Sequence, residues 1–172
     1  MNVDISNRQA HVDLRGQHIR QLARFFMQRA AQSNPRVEWE NLSLVLADDN
    51  ALLQLSRRFF GRNETTDVIA FQYDRLPGEP LRGSSGEVVV NAQQAKRYGA
   101  KRGHAVRELA LYIAHGCDHL AGAEDDSPAK RRRMRQRELR WLRQARNLGL
   151  LPAAGDQRPR QDIRASRSCS SS

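Results

Sequence analysis

The sequence predicts an α+β fold, and two observations carry that prediction. Segments with apolar residues at helical spacing are interspersed along the chain with short runs that are β-branched or alternate in polarity. The length, 172 residues, suits one domain with a real core.

Residues 3–7 alternate weakly and read as a first strand. Residues 15–32 carry Ile19, Leu22, Ala23, Phe26 and Ala30 along one stripe, which predicts an amphipathic helix ended by Asn34-Pro35. Leu42-Ser43-Leu44-Val45-Leu46 reads as a second strand. Asp48 or Asp49 can cap the next helix, which carries Leu52, Leu53, Leu55 and Phe59 and gives way to a loop at Gly61-Arg62-Asn63-Glu64. Thr66 to Tyr73 is rich in β-branched and aromatic residues, hence a third strand. Residues 74–85, rich in Pro, Gly, Arg and Ser, form a long connection to a fourth strand, Gly86 to Asn91. Asn91 can cap a short helix through Gln93, Ala95 and Tyr98, ended by Gly99. Residues 104–120 form a helix with the core stripe Val106, Leu109, Ile113, Gly116 and Leu120. Residues 128–147 form a basic helix with Pro128 in its first turn and Met134, Leu139, Trp141, Leu142 and Ala145 on one face. The domain is expected over 1–150, and 151–172, a basic Ser/Arg/Pro segment, as a disordered tail.

The formal charge of +10 and pI near 10.9 point to an anionic partner, nucleic acid first and a membrane surface second. No apolar run approaches the roughly 18 residues of a transmembrane helix. The N-terminus, Met-Asn-Val-Asp-Ile-Ser-Asn-Arg, lacks a signal-peptide core. Two cysteines, Cys117 and Cys169, make no disulfide framework. Together these features point to the cytoplasm.

Chemistry concentrates in residues 115–125, His-Gly-Cys-Asp-His-Leu-Ala-Gly-Ala-Glu-Asp. His115 and His119, four residues apart on a helix, project from the same side and can reach one metal ion. Gly122 suits a helix end, and Asp125 then returns as a third ligand. Two histidines and a carboxylate leave a zinc ion one open position, as catalytic sites require. By helical angle the histidines lie roughly opposite Ile113, on the arc of Glu108 and Tyr112, so one face is expected to pack and one to carry chemistry. Zinc peptidases place a glutamate base directly after the first histidine. Gly116 stands there instead, which argues against peptide hydrolysis. Asp118 can serve as base, third ligand or supporting acceptor, and Glu108 is a weaker candidate base. Glu124 and Asp126 flank Asp125, so the third ligand can be misplaced by one. Cys117 points to a different helix face, as a buried structural thiol does, and His11, His18 and His104 are isolated.

These residues resemble the YbeY-type endoribonucleases, bacterial rRNA maturation factors. That family's His-Gly-x-x-His-Leu-x-Gly-x-x-His is matched by residues 115–125. Its Thr-Asp-Val-Leu-Ser-Phe is similar to Thr66-Asp67-Val68-Ile69-Ala70-Phe71. Its Gly-Asp/Glu-Ile-Val-Ile resembles Gly86 to Val90, and its Met-x-x-x-Glu resembles Met134 to Glu138. The resemblance implies a mixed four-stranded sheet flanked by helices and one zinc per chain. It also implies metal-dependent cleavage of single-stranded RNA, in maturation of the small-subunit rRNA 3′ end and in ribosome quality control. The implied partners are rRNA and the ribosome, with a ribosomal protein or GTPase alongside, and no membrane or small-molecule cofactor.

Two departures stand out. Asp125 replaces the third histidine, adding negative charge and making a bound water less acidic. Phe60-Gly61 stands where the family has an arginine before glycine. The expected site is therefore His115, His119 and Asp118 for catalysis and His115, His119 and Asp125 for metal. Arg57, Arg58 or Arg62, with Arg131 and Arg132 of the basic run 130–137, are the expected RNA contacts. The departures also motivate an alternative, an RNA-binding factor with a structural zinc.

Overall fold

The computed structural model describes residues 1–33, 35, 38–73, 83–102 and 104–151. Nine elements follow in order: β1 (Asn2–Asn7), α1 (Gly16–Ala31), β2 (Trp39–Ala47), α2 (Asp49–Phe60), β3 (Val68–Tyr73), β4 (Ser84–Asn91), α3 (Ala92–Arg102), α4 (Ala105–Leu120) and α5 (Pro128–Asn147). The strands form one mixed sheet in the order β1-β2-β4-β3. β1, β2 and β4 run parallel, and β3 pairs antiparallel along the outside of β4. This is the expected α+β architecture.

Strand alternation assigns the two faces of the sheet. Leu42, Leu44, Leu46, Val68, Val88 and Val90 point into the main core, where α1, α4 and α5 supply Ile19, Leu22, Phe26, Leu109, Ile113 and Leu142. Val45, Ala47, Ile69 and Val89 point the other way, under Leu52 and Leu55 of α2. The long β2, bordered by a strand on each side, extends three residues before and one after the expected segment.

Local signals place the helix ends. The Asp48 carboxylate accepts from the Ala51 amide at 2.9 Å and caps α2. Gly61, at φ 64°, ends α2 in the left-handed region. Asn91 caps α3 by accepting from the Gln94 amide at 2.8 Å, and its own amide donates to Asp49 at 2.8 Å. Gly99 does not end α3, which runs on to Arg102. A Cβ at Gly99 would lie 2.4 Å from Ala105 Cα, so this glycine permits the close approach of α3 to the start of α4.

One other expectation changes. α4 was expected to bury one stripe, yet twelve of its residues are buried, Glu108 and Tyr112 included. It lies centrally, in contact with α1, α3, α5, β3 and β4. Leu151, after the end of α5, is buried in the main core. The expected turn at Asn34, most of the 74–85 connection and the tail beyond Leu151 lie outside the described residues.

Candidate metal centre

The site begins at the C-terminus of α4. Gly122, at φ 88°, takes the left-handed conformation that glycine adopts without penalty. Its amide donates to the His119 carbonyl at 2.9 Å, and the Ala123 amide to the Asp118 carbonyl at 3.0 Å. This double closure is a Schellman turn. It sends residues 123–127 back beside the last turn of the helix.

One ligand atom from each of His115, His119 and Asp125 lies within 4.8 Å of the other two. These three can hold a metal ion, as the spacing predicts. The neighbours of Asp125 are occupied elsewhere: Lys130 Nζ bridges the Glu124 and Asp126 carboxylates at 2.5 and 3.0 Å. Arg131 Nε donates to the Asp125 carbonyl at 3.2 Å. The first turn of α5 thus grips the loop on both sides of Asp125 and settles which carboxylate turns inward.

The imidazoles are oriented from outside. His119 Nδ1 donates to the Ala123 carbonyl at 3.0 Å, because a carbonyl oxygen only accepts. His115 Nδ1 donates to Glu138 Oε1 at 2.6 Å. In the neutral rings both protons therefore sit on Nδ1, and the two Nε2 lone pairs face one another at 3.2 Å. Two acceptors at that distance repel unless a cation or proton lies between them. With an adjacent carboxylate, this donor set fits a divalent metal.

Glu138 sits on α5 and is only 1% exposed. A carboxylate behind a ligating histidine fixes its tautomer and raises its basicity. Burial pushes the His115 imidazole down, but the Glu138 carboxylate outweighs it, with Asp67 and Asp125 adding to the upward shift. Sequence reasoning matched Met134 and Glu138 to a family pattern without giving Glu138 a role. The available signal was a lone glutamate one turn after the buried Met134, on the face that also carries Trp141 and Leu142.

Asp118 does not join the cluster. Its carboxylate is fully buried and takes three hydrogen bonds from Arg137: Nε donates to Oδ1 at 3.2 Å and to Oδ2 at 3.0 Å, and Nη2 donates to Oδ2 at 2.7 Å. Burial pushes this carboxyl up, and Arg137 only partly draws it back. The structure thus does not bring Asp118, expected as base or ligand, to the other two carriers of the site: positions three apart on a helix diverge by about 60°, and Arg137 holds both of its oxygens. Glu108 is buried and also lies outside the cluster. Cys117 is a buried free thiol, raised by burial, as expected.

Gly116 proves structural. A Cβ there would stand 2.4 Å from Val88 Cγ1 and 2.8 Å from Val68 Cγ2. The position that carries the base in zinc peptidases here faces the sheet at a distance that admits no side chain.

A groove of about 540 Å³ opens beside the cluster, along β3 between the end of α2 and the end of α4. Its lining includes Phe60, Arg62, Val68, Ala70 and His119. Of the five arginines named as expected RNA contacts, Arg62 alone lines this groove with a cluster residue. Arg57 Nε donates to Asn63 Oδ1 at 2.7 Å, Arg131 holds the ligand loop, and Arg132 is exposed on α5.

The fold and this cluster define an α+β protein with a three-residue site able to hold a metal ion, set at the side of a groove. The chain matches the family Endoribonuclease YbeY over residues 4–146, and it belongs to that family. An Endoribonuclease YbeY of Pelotomaculum thermopropionicum is 35% identical over 120 residues, covering 64% of this chain and 78% of that protein. One of Mycolicibacterium gilvum is 34% identical over 149 residues, covering 81% of each. One of Myxococcus xanthus is 37% identical over 103 residues, 59% of this chain, and there the chain spans only 35% of the relative's length. The solution structure of TM1509 from Thermotoga maritima aligns with a TM-score of 0.51 at 15% identity, over 91% of this chain and all of that one, which supports the fold. Family membership supports an endoribonuclease role and an RNA substrate. Among the described residues no helix is long and apolar enough to cross a membrane.

Proposed function

We propose that this chain is a zinc-dependent endoribonuclease that cuts single-stranded RNA in the cytoplasm. Its task would be maturation of the small-subunit rRNA 3′ end and ribosome quality control, on the ribosome and beside a ribosomal protein or GTPase. The observation that carries the reading is the meeting of two Nε2 lone pairs and the Asp125 carboxylate beside a groove that His119 and Arg62 line. His115, His119 and Asp125 would hold the ion. Zinc, when bound, supplies a Lewis acid with one position left open for water or a phosphoryl oxygen. The chain's own residues do the rest. Glu138 and the Ala123 carbonyl keep both imidazoles in the ligating tautomer. Lys130 and Arg131 hold Asp125 in reach. Arg62 faces the groove as a phosphate contact, with Arg57, Arg131 and Arg132 contributing to a backbone affinity that falls as salt rises.

The test is cleavage of a single-stranded rRNA precursor by zinc-loaded protein, with a related nuclease as positive control in the same buffer. Cleavage that disappears with a chelator and returns with zinc is expected. An intact precursor beside a cut control rejects the reading. The substitution of aspartate at position 125 favours a second reading, an RNA-binding factor whose zinc is structural. His115→Ala separates the two. Retained fold with lost cleavage supports the nuclease, whereas lowered stability with unchanged cellular function supports the binding factor.

A further inference from the structure

We infer that Phe60 is a stacking platform for a nucleobase of single-stranded RNA, placed on the groove that His119 of the metal cluster lines. The inference deepens the nuclease reading and rests on it. Phe60 ends α2 with 52% of its surface exposed, and Phe59 beside it is 53% exposed. Two large exposed aromatics together are an unusual use of apolar surface unless a partner covers them.

The rings form an ordered group. Phe71 of β3 lies nearly parallel to Phe60, 18° between planes with centroids 6.5 Å apart, and meets Phe59 edge-on at 5.0 Å. The Arg58 guanidinium stands 5.4 Å over the Phe59 ring. Phe59 is thus already engaged by a cation, whereas Phe60 lines the groove shared with Arg62 and His119.

The chemistry selects the ligand. Every nucleobase offers a π-face, and stacking on an aromatic ring is tolerant of sequence. A backbone threaded past such a ring carries phosphates, and Arg62 lies on the same wall. Thr66 and Gln72, also on the groove, offer side-chain donors and acceptors to base edges, while Glu64 adds an acceptor. Duplex RNA keeps its bases stacked on one another, so a platform of this kind selects unpaired strands. An extended polypeptide could also lie along β3, which among the described residues pairs with β4 on one side only. Arginines flanking a stacked aromatic pair favour the anionic strand.

The test measures binding rather than turnover. Affinity for a fluorescent single-stranded oligoribonucleotide of mixed sequence is read by anisotropy in chelator, across a salt series. Phe60→Ala and Phe60→Leu are each expected to weaken binding roughly tenfold with the salt slope unchanged, while Phe60→Trp retains it. Arg62→Ala is expected to reduce the slope by about one. In Phe60→Trp, the added indole emission is expected to be quenched by the RNA. Undiminished binding by Phe60→Leu would show apolar packing and overturn the proposal. Wild-type affinity in Phe60→Ala would also overturn it while leaving the nuclease reading in place. A wild-type protein that neither binds the oligonucleotide nor cuts precursor when zinc-loaded removes both. An emission change with extended peptides and none with RNA would assign the groove to a polypeptide.

Discussion

Glu138 accepts a hydrogen bond from His115 Nδ1 at 2.6 Å across the α4–α5 contact, from a carboxylate that is almost wholly buried. A helix 23 residues further along the chain therefore sets the orientation of a ligand histidine. Replacing Glu138 with Gln keeps the shape but removes the charge behind the ring. Metal affinity is expected to fall by roughly 10–100-fold, with Glu138→Ala at the severe end. A chelator-competition titration measures this, and circular dichroism checks that the fold persists. Unchanged affinity in both variants would remove Glu138 from the site.

The upward shift at His115 gives a pH dependence of definite sign. A histidine raised above its unfolded value of about 6.5 stabilises the metal-free protein fully below that pH, and the contribution disappears as pH rises through the folded value. Metal binding opposes this, because it needs the unprotonated Nε2. The metal-free protein should lose His115-linked stability on going from about pH 6 to pH 8, while the extra stability conferred by zinc should grow. Melting curves of wild type and His115→Asn, with zinc and with chelator, isolate the residue's contribution. Parallel curves at all pH values would refute it.

Arg137, partly exposed, and Asp118, fully buried, pair at 2.7 Å and tie α5 to α4. Arg137→Ala strands a carboxylate that has no solvent access. The expected cost is about 3 kcal/mol, the low end for a broken buried pair because Arg137 is partly exposed. Denaturant unfolding measures it. The double variant Asp118→Asn, Arg137→Met should recover much of the loss, and Asp118→Asn alone should still bind zinc with wild-type affinity. Zinc loss in Asp118→Asn would restore Asp118 to the ligand set.

Gly116→Ala places a methyl group into Val88 and Val68, so α4 must lift from the sheet. A destabilisation of about 1–3 kcal/mol is expected, the range for overpacked cores. Gly116→Glu, which would build the peptidase base, should be worse and should create no peptidase activity. A melting temperature within a degree of wild type for Gly116→Ala would contradict the packing.

Most of the fold was legible because apolar periodicity reports directly on burial. The α1 stripe, the capping of α2 and α3 by Asp48 and Asn91, and Pro128 at the start of α5 all follow from local chemistry. Gly99 shows the limit of that reasoning. Glycine signals a helix end or a close approach equally well, and only the position of Ala105 decides between them. The central burial of α4 was hidden for a similar reason: Glu108, Tyr112 and Asp118 look solvated until partners on other elements surround them.

Residue order alone determined the candidate histidine pair and the turn after it, since His115, His119 and Gly122 are fixed relative to one another by one helix and its end, and it narrowed the third donor to the carboxylates beside that turn. It also determined the family, through motifs that are contiguous in sequence. The tertiary structure alone decided what surrounds them. It gave Glu138 to His115, Arg137 to Asp118, and Lys130 to both neighbours of Asp125, and it laid Phe60 on the groove that reaches His119. The physical reason is range. Helical spacing acts over a turn or two and can be read locally, whereas the pairing of buried charges depends on how separate elements dock.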